Sequence, residues 1–237
     1  MGPRDKNGRR GYRRRHRKMG QDGPVSVPPE HLRYASASAA VQKKAFIDLI
    51  NQNPTNAEIW KRMPALALPQ GMLVSGCLYQ SVWNILLGHD PCRGIRDYDL
   101  VYFDDGDLSY EAEDKVIKTC AAVFADLGVE VEVRNQARVH LWFKDRFGFD
   151  YTPLQNAAQS LLRYMSPCHA VAAEPDSKGN LKLHAPFGLD DVFGFMVRPR
   201  EGDAEISSTS YQKKAARMKA LWPELTVVPL PSGANKN

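Results

Sequence analysis

Two aspartates separated by a single residue, Asp97 and Asp99, lie in a segment that otherwise favours a β-strand. The segment reads RDYDLVYF from position 96 and is rich in the Val, Tyr and Phe that strands prefer. Side chains at i and i+2 of a strand point to the same face, so the two carboxylates would project together. Anions held this close repel each other, which predicts either a divalent-cation platform or a pair that shares one proton. The alternative is that the two aspartates are simply exposed at a strand edge and have no chemical role.

The turn VSGC at residues 74–77 is a second feature with chemical potential. Residues 72–74 predict a short strand, and the apolar residues 78, 82, 85 and 86 follow at helical spacing. A glycine between a strand and a helix lets an anion approach the backbone N–H groups at the helix N-terminus. Gly76 therefore marks a candidate phosphate site, and a glycine needed only for packing is the alternative.

A third acidic group is offered by the alternating stretch VEVEVR at residues 129–134. The valines would lie on one face of a half-buried strand, with Glu130, Glu132 and Arg134 on the other. Glutamates on such a face usually point into solvent. A neighbouring strand that carries functional carboxylates would give one of them a role.

The elements that must position these groups alternate between helices and strands, which predicts an α/β (α+β) domain with a mixed sheet. Before the VSGC turn, helices are predicted over residues 36–49 and 58–63, the second ended by Pro64. Between the two acidic strands, Ser109 is the predicted N-cap of a helix that ends at Gly128.

After the second acidic strand, a return strand is predicted over residues 139–143, because apolar and polar residues alternate there. A helix over 152–164 and a hairpin around the turn at 176–179 follow. The last predicted element is a basic amphipathic helix over 208–221, whose cations are interpreted as a solvated face. These cations are Lys213, Lys214, Arg217 and Lys219.

The net charge of +5 among 237 residues is concentrated in the first part of the chain. Residues 1–18 contain nine Lys or Arg against one Asp, which leaves a net −3 for all the other residues. Residues 1–33 are polar, rich in Gly and Pro and aperiodic, which predicts a disordered basic arm in front of a domain spanning 34–237. The arm is either a solubilising tail or a tether for a polyanion such as nucleic acid.

No apolar run in the chain approaches the roughly 20 residues that a membrane-spanning helix needs. The first residues also lack the hydrophobic stretch of a secretion signal. These two observations predict an intracellular, cytoplasmic protein without a membrane partner.

The order of these motifs is more specific than any of them alone. The stretches VSGC, RDYDL and VEV, in that order, resemble the glycine turn, D-x-D strand and third-acid strand of the DNA polymerase β-type nucleotidyltransferase superfamily. The stretches GCLYQSVWN, IRDYDLVYFD, EVRNQARVH and APFGLDDVFGFMVRP are similar to a small stand-alone nucleotidyltransferase-like family of unassigned substrate. The resemblance covers roughly residues 34–230 and implies the nucleotidyltransferase fold, a mixed twisted sheet flanked by helices.

The resemblance also implies an activity and a set of site residues. A metal-dependent transferase of this kind moves a nucleoside monophosphate from an NTP to a hydroxyl acceptor and releases pyrophosphate. Asp97, Asp99 and Glu132 would be its catalytic residues and would hold Mg²⁺ or Mn²⁺. The implied phosphate-binding residues are Ser75, Gly76, Cys77, Ser81 and Arg96. The acceptor, a small molecule, a protein or RNA, stays open.

One residue departs from the superfamily pattern. Cys77 follows the glycine where the superfamily usually has a serine whose hydroxyl helps to hold the triphosphate, and a thiol is a poorer hydrogen-bonding group. Ser75 or Ser81 would have to substitute for it. Two other functions therefore stay open, a catalytically degenerate relative that binds nucleotides or nucleic acid, and a metal-dependent phosphohydrolase.

Overall fold

A five-stranded mixed sheet lies at the centre of the protein, in strand order β3-β2-β1-β4-β5. The structure, a computed structural model, describes residues 28–148, 150–200 and 208–230. The strands are β1 (Met72–Val74), β2 (Asp97–Tyr102), β3 (Glu130–Asn135), β4 (Ala172–Pro175) and β5 (Leu181–His184). Only β2 and β3 pair in parallel, and the other pairs in this sheet are antiparallel. A separate small sheet pairs β6 (Met196–Val197) with β7 (Thr226–Val227).

Seven α-helices are found in the described ranges of the chain. They are α1 (Ala39–Ile50), α2 (Pro54–Leu66), α3 (Gly76–Leu86), α4 (Tyr110–Phe124), α5 (Val139–Phe147), α6 (Asp190–Phe193) and α7 (Ser208–Leu221). Side-chain caps begin several of them: Ser38 accepts a hydrogen bond from the N–H of Val41 in α1, and Ser109 accepts one from Ala112 in α4. None of the described helices has the length and apolar character needed to cross a membrane.

The two faces of the central sheet are covered unequally. Tyr98, Leu100 and Tyr102 of β2 are buried in the main core, where α3 packs on β2 and α4 packs on β3. On the opposite face, Val101 joins a smaller apolar cluster with residues of the segment 154–161. Asp97 and Asp99 lie on this second face and are only half-buried. The alternation of β2 therefore separates a packed face from a face that carries the carboxylates.

The mixed α/β fold with helices around the sheet confirms the predicted fold class, and most of the predicted elements are present. Helix α2 is longer than predicted: it begins at Pro54 and passes through Pro64, which lies in its last turn and costs only one backbone hydrogen bond there. The segment predicted as a helix over 152–164 contains only a 3-10 helix, Ala157–Arg163.

The predicted return strand over residues 139–143 is wrong, because these residues belong to α5. The turn after β3 determines this result. The side-chain oxygen of Asn135 accepts from the N–H of Ala137, and the N–H of Arg138 donates to the carbonyl of Asn135, so the chain enters a helix instead of a hairpin. A short apolar segment such as this one fits either period, and the sequence pattern alone does not separate the two.

Residues 28–33, the described part of the predicted arm, make contacts with the domain. Glu30–Leu32 forms a 3-10 turn, and the ring of His31 packs edge-on against Phe195 with ring centroids 4.9 Å apart. Residues 1–27 lie outside the described ranges, and the disordered tail stays a prediction.

Candidate active site

The two acidic strands are neighbours in the sheet, and their register brings the carboxylates together. In the parallel pair β2–β3, Asp99 lies opposite Glu132 and Asp97 lies opposite Glu130. Adjacent strands are about 4.8 Å apart, so side chains at the same register and on the same face are in mutual reach. Glu132 is half-buried and Glu130 is exposed. The acid that adjoins Asp99 is thus Glu132.

The electrostatics of the site are dominated by Asp99. Burial, followed by the charges of Asp97 and Glu132, raises the pKa of its carboxyl from 3.8 to about 6. The positive charges of Lys214 and Arg134 oppose this shift but do not cancel it. The site therefore has an excess of negative charge at Asp99, which favours the binding of a cation.

Glu132 has an ion-pair partner on its own strand. Its Oε1 lies 2.5 Å from Nη2 of Arg134, and both side chains remain partly exposed. Within the described ranges, no three His, Cys, Asp or Glu side chains are already arranged to hold a metal ion. Asp97 and Asp99 share a face beside this ion pair, and Glu132 would have to leave Arg134 to join them as a ligand.

The strand-to-helix turn next to the carboxylates has a strained backbone. Ser75 has φ 58° and ψ −111°, an unusual conformation for a residue with a side chain, and its N–H donates to the carbonyl of Val171 at 2.8 Å. Gly76 begins α3, and a Cβ at this position would lie 3.0 Å from Nε2 of Gln80. A helix of 11 residues thus presents its N-terminal N–H groups beside Val74, the register partner of Asp99.

The other predicted phosphate-binding residues lie in different surroundings. Cys77 is fully buried, and burial together with the charge of Asp99 raises the pKa of its thiol well above its usual value. Ser81 is also fully buried: its hydroxyl donates to the carbonyl of Cys77 at 2.6 Å and accepts from Nδ2 of Asn53 at 2.8 Å. The structure therefore does not bring Ser81 to the open face. Arg96 is exposed immediately before Asp97.

One basic residue of α7, Lys214, reaches this site, although the sequence analysis placed the cations of this helix on a solvated face. Burial lowers the pKa of Lys214, and the charges of Cys168 and Asp99 oppose the shift. Arg217, one helical turn later, has a buried Nη1 without a hydrogen-bond partner among the described residues. The spacing i, i+3 was the available signal, since it puts both cations on one side of a helix.

A buried histidine lies near these cations. His169 is fully buried, and neither of its ring nitrogens has a hydrogen-bond partner in the described part of the chain. Burial lowers its pKa well below the usual value, and the charges of Lys214 and Arg217 lower it further. The imidazole is therefore neutral near pH 7. The cation of α7 that acts on Asp99 is thus Lys214, which lies more than 100 positions later in the sequence.

Comparisons with known proteins identify a family and a fold. Residues 61–227 match the sequence model of a family described as "Nucleotidyltransferase". A solved structure titled "The NMR structure of the protein reveals a CCA-adding enzyme head domain" has the same fold with a TM-score of 0.65 and 22% sequence identity. The match covers 78% of this chain and 95% of that chain. No curated protein matches the sequence.

Proposed function

This chain belongs to the nucleotidyltransferase family, and on that premise we propose that it transfers a nucleoside monophosphate from an NTP to a hydroxyl acceptor. The observation that carries the proposal is the register of β2 and β3, which puts Glu132 beside Asp99 on the open face of the sheet. The raised pKa of Asp99 supports it, because carboxylates whose pKa is raised by burial and by like charges cluster at functional sites.

The donor set of the site fits Mg²⁺ or Mn²⁺. These cations prefer carboxylate oxygens, and Mg²⁺ is commonly held by one or two carboxylates together with substrate phosphates and water. Asp97 and Asp99 would supply the two carboxylates, and Glu132 would add a third after release from Arg134. When bound, such ions supply positive charge to the attacking and leaving oxygens.

The remaining steps belong to side chains and backbone groups of this chain. The N-terminus of α3 after the Ser75 turn would bind the phosphates of the NTP, and Lys214 and Arg217 would neutralise their charge from the other side. The acceptor oxygen forms a bond to the α-phosphorus while the bond to the bridging oxygen of the β-phosphate breaks. Pyrophosphate leaves with that electron pair, and the proton of the hydroxyl passes to Glu132.

The proposal is tested with each of the four NTPs labelled at the α-phosphate, Mg²⁺ or Mn²⁺, and a cell extract as the source of acceptor. We expect a labelled adduct whose formation falls about 100-fold or more in Asp99→Asn. Glu132→Gln should lower turnover more than nucleotide affinity. Asp105→Asn, the same chemical change in an exposed loop, is the matched control. Full transfer by Asp99→Asn would refute the proposed site.

The same assay separates the two other functions that the sequence left open. A phosphohydrolase would release labelled phosphate compounds from the NTP without forming an adduct. A degenerate binding relative would retain nucleotide in equilibrium dialysis without any turnover. The degenerate binding relative is tested because a buried Cys77 stands in place of the usual serine.

We also propose a role for the basic residues 1–18 as a polyanion-binding segment that leaves the transfer reaction unchanged. Binding to RNA through such a segment should weaken steeply with added salt, because each neutralised phosphate releases a counterion. Salt-independent RNA binding, or loss of transfer when these residues are removed, would contradict this role.

A further inference from the structure

A cavity with aromatic walls opens on the same face of the sheet as the carboxylates. It has a volume of about 230 Å³ and includes Val101 of β2, two residues after Asp99, and Arg134 of β3, two residues after Glu132. Its lining also includes four aromatic side chains from α5 and from the segment that follows it: Trp142, Phe143, Tyr151 and Tyr164. The rings of Phe143 and Tyr151 lie in contact, with centroids 4.6 Å apart. The cavity thus offers stacking surfaces for a planar group.

One polar group in the cavity lacks a partner. Gln136 lines the cavity and is only 7% exposed, yet no hydrogen bond joins its side-chain amide to any other described residue. Its backbone N–H donates to the carbonyl of Tyr102 at 2.8 Å, which fixes the residue directly after β3. The amide atoms themselves keep access to solvent through the cavity, so they can offer a donor and an acceptor to a ligand.

The chemistry of this cavity matches a nucleobase. A heteroaromatic ring stacks on aromatic side chains, and the edge of a base pairs with a glutamine amide through one donor and one acceptor. Arg163 lies over the ring of Tyr151 at 5.2 Å and adds positive charge at the rim for a phosphate. The volume is below the roughly 300 to 1,000 Å³ of pockets that enclose a whole ligand, so it suits one ring system of a larger molecule.

The position of the cavity relative to the Ser75 turn indicates whether the cavity would bind the acceptor or the NTP donor. Strand β1 runs antiparallel to β2, with Met72 opposite Val101 and Val74 opposite Asp99, so the Ser75 turn lies at the Asp97 end of β2. The cavity lining begins at Val101, which is three residues, or about 10 Å at 3.3 Å per residue, along β2 from the position opposite Ser75. In-line displacement puts the attacking and leaving oxygens on opposite sides of the phosphorus. If the Ser75 turn holds the leaving pyrophosphate, the acceptor would enter from the cavity end.

Tyr164 connects the two regions. Its ring lines the cavity, and its buried phenol lies close enough to Asp99 and Ser75 for both to act on its pKa, so the hydroxyl is directed towards the carboxylates and the Ser75 turn. A base in the cavity would therefore have its ribose next to Asp99. We propose that the acceptor is a nucleoside or nucleotide whose base is stacked in this cavity and paired with Gln136. This inference rests on the proposed transferase activity for the direction of the reaction.

The test measures binding of AMP, CMP, GMP and UMP to the full chain through tryptophan fluorescence and calorimetry. Trp142 is half-buried, whereas the other three tryptophans are at most 6% exposed, so a stacked base should quench mainly Trp142. We expect quenching by at least one of these nucleotides that persists with saturating tripolyphosphate and disappears in Trp142→Phe. Gln136→Leu should weaken the binding of that nucleotide about tenfold and leave the affinity for tripolyphosphate unchanged. Leu141→Ala, an exposed position on the same helix, should change neither.

Three results would overturn the inference. Ribose 5-phosphate that binds as tightly as the nucleotides would show a site for the phosphate alone. Loss of nucleotide binding in the presence of tripolyphosphate would assign the base to the donor. Unchanged nucleotide affinity in Gln136→Leu would show that the base does not bind in the cavity. These binding measurements need no turnover, so a nucleotide that binds as expected in a chain without transferase activity refutes the proposed function and not the cavity.

Discussion

The raised pKa of Asp99 makes a quantitative prediction about stability. A shift from 3.8 to about 6 is about two pKa units, and each unit corresponds to about 1.36 kcal/mol between the two protonation states. Ionised Asp99 should therefore destabilise the metal-free fold by about 2 to 3 kcal/mol. Asp99→Asn keeps the size of the side chain and removes the charge. We expect this variant to be more stable than the natural protein by that amount at pH 8.

The pH dependence has a definite sign. Because the folded pKa lies above the unfolded one, the folded state binds more protons than the unfolded state between pH 3.8 and about 6. The free energy of unfolding should fall as the pH rises through this window and then level off. The advantage of Asp99→Asn should thus be absent near pH 3.5 and complete above pH 7.

Urea-induced unfolding in EDTA, followed by circular dichroism between pH 3.5 and 8, measures this difference. Asp105→Asn, which removes an exposed carboxylate, should leave the stability unchanged within about 0.5 kcal/mol. Mg²⁺ should stabilise the natural protein more than Asp99→Asn, because only the former has the full set of carboxylates. The reasoning would be refuted if Asp99→Asn were less stable than the natural protein at pH 8. It would also be refuted if the gain in stability were as large at pH 3.5 as at pH 8.

Three further predictions concern groups around the site. Lys214→Gln should raise the KM for NTP about tenfold in steady-state kinetics without lowering the melting temperature, whereas Lys213→Gln, exposed on the same helix, should change neither. Glu113→Ala should destabilise the fold by about 3 to 5 kcal/mol in urea unfolding, because it leaves the buried Arg138 without its ion-pair partner, and a loss below 1 kcal/mol would contradict this. Deletion of residues 1–27 should preserve transfer and melting temperature and reduce salt-sensitive RNA binding, and a lower melting temperature would show that these residues support the fold.

The sequence predicts the acidic strands well because their information is local. The alternation in β2 and β3 determines which side chains share a face, and the structure has Asp97, Asp99 and Glu132 on that face. The glycine turn is local in the same way, since the change from strand to helical spacing at Gly76 is visible in a dozen residues.

The parts that the sequence misses depend on contacts between distant segments. Whether α5 forms a helix is decided by hydrogen bonds of Asn135 in the preceding turn, which no periodicity reports. Whether the cations of α7 face solvent depends on where that helix packs, more than 100 positions after Asp99. The unpaired amide of Gln136 becomes visible only when the cavity around it has formed. The sequence shows the charged and aromatic residues, but it does not show which residues they contact in the fold.

The electrostatic cost of Asp99 is only partly offset by the cations that other segments bring to this face. A sheet that needed only stability would place an apolar residue or an asparagine at this position of β2, since acidic residues are unfavourable in strands and here repel two neighbours. Lys214 and Arg134 lower the pKa of Asp99 but leave it near 6, so the fold compensates the charge only in part. Full neutralisation by fixed arginine or lysine partners would leave no affinity for a cation that arrives with a substrate. If the proposed function is right, partial compensation leaves the remaining electrostatic energy to stabilise the bound cation.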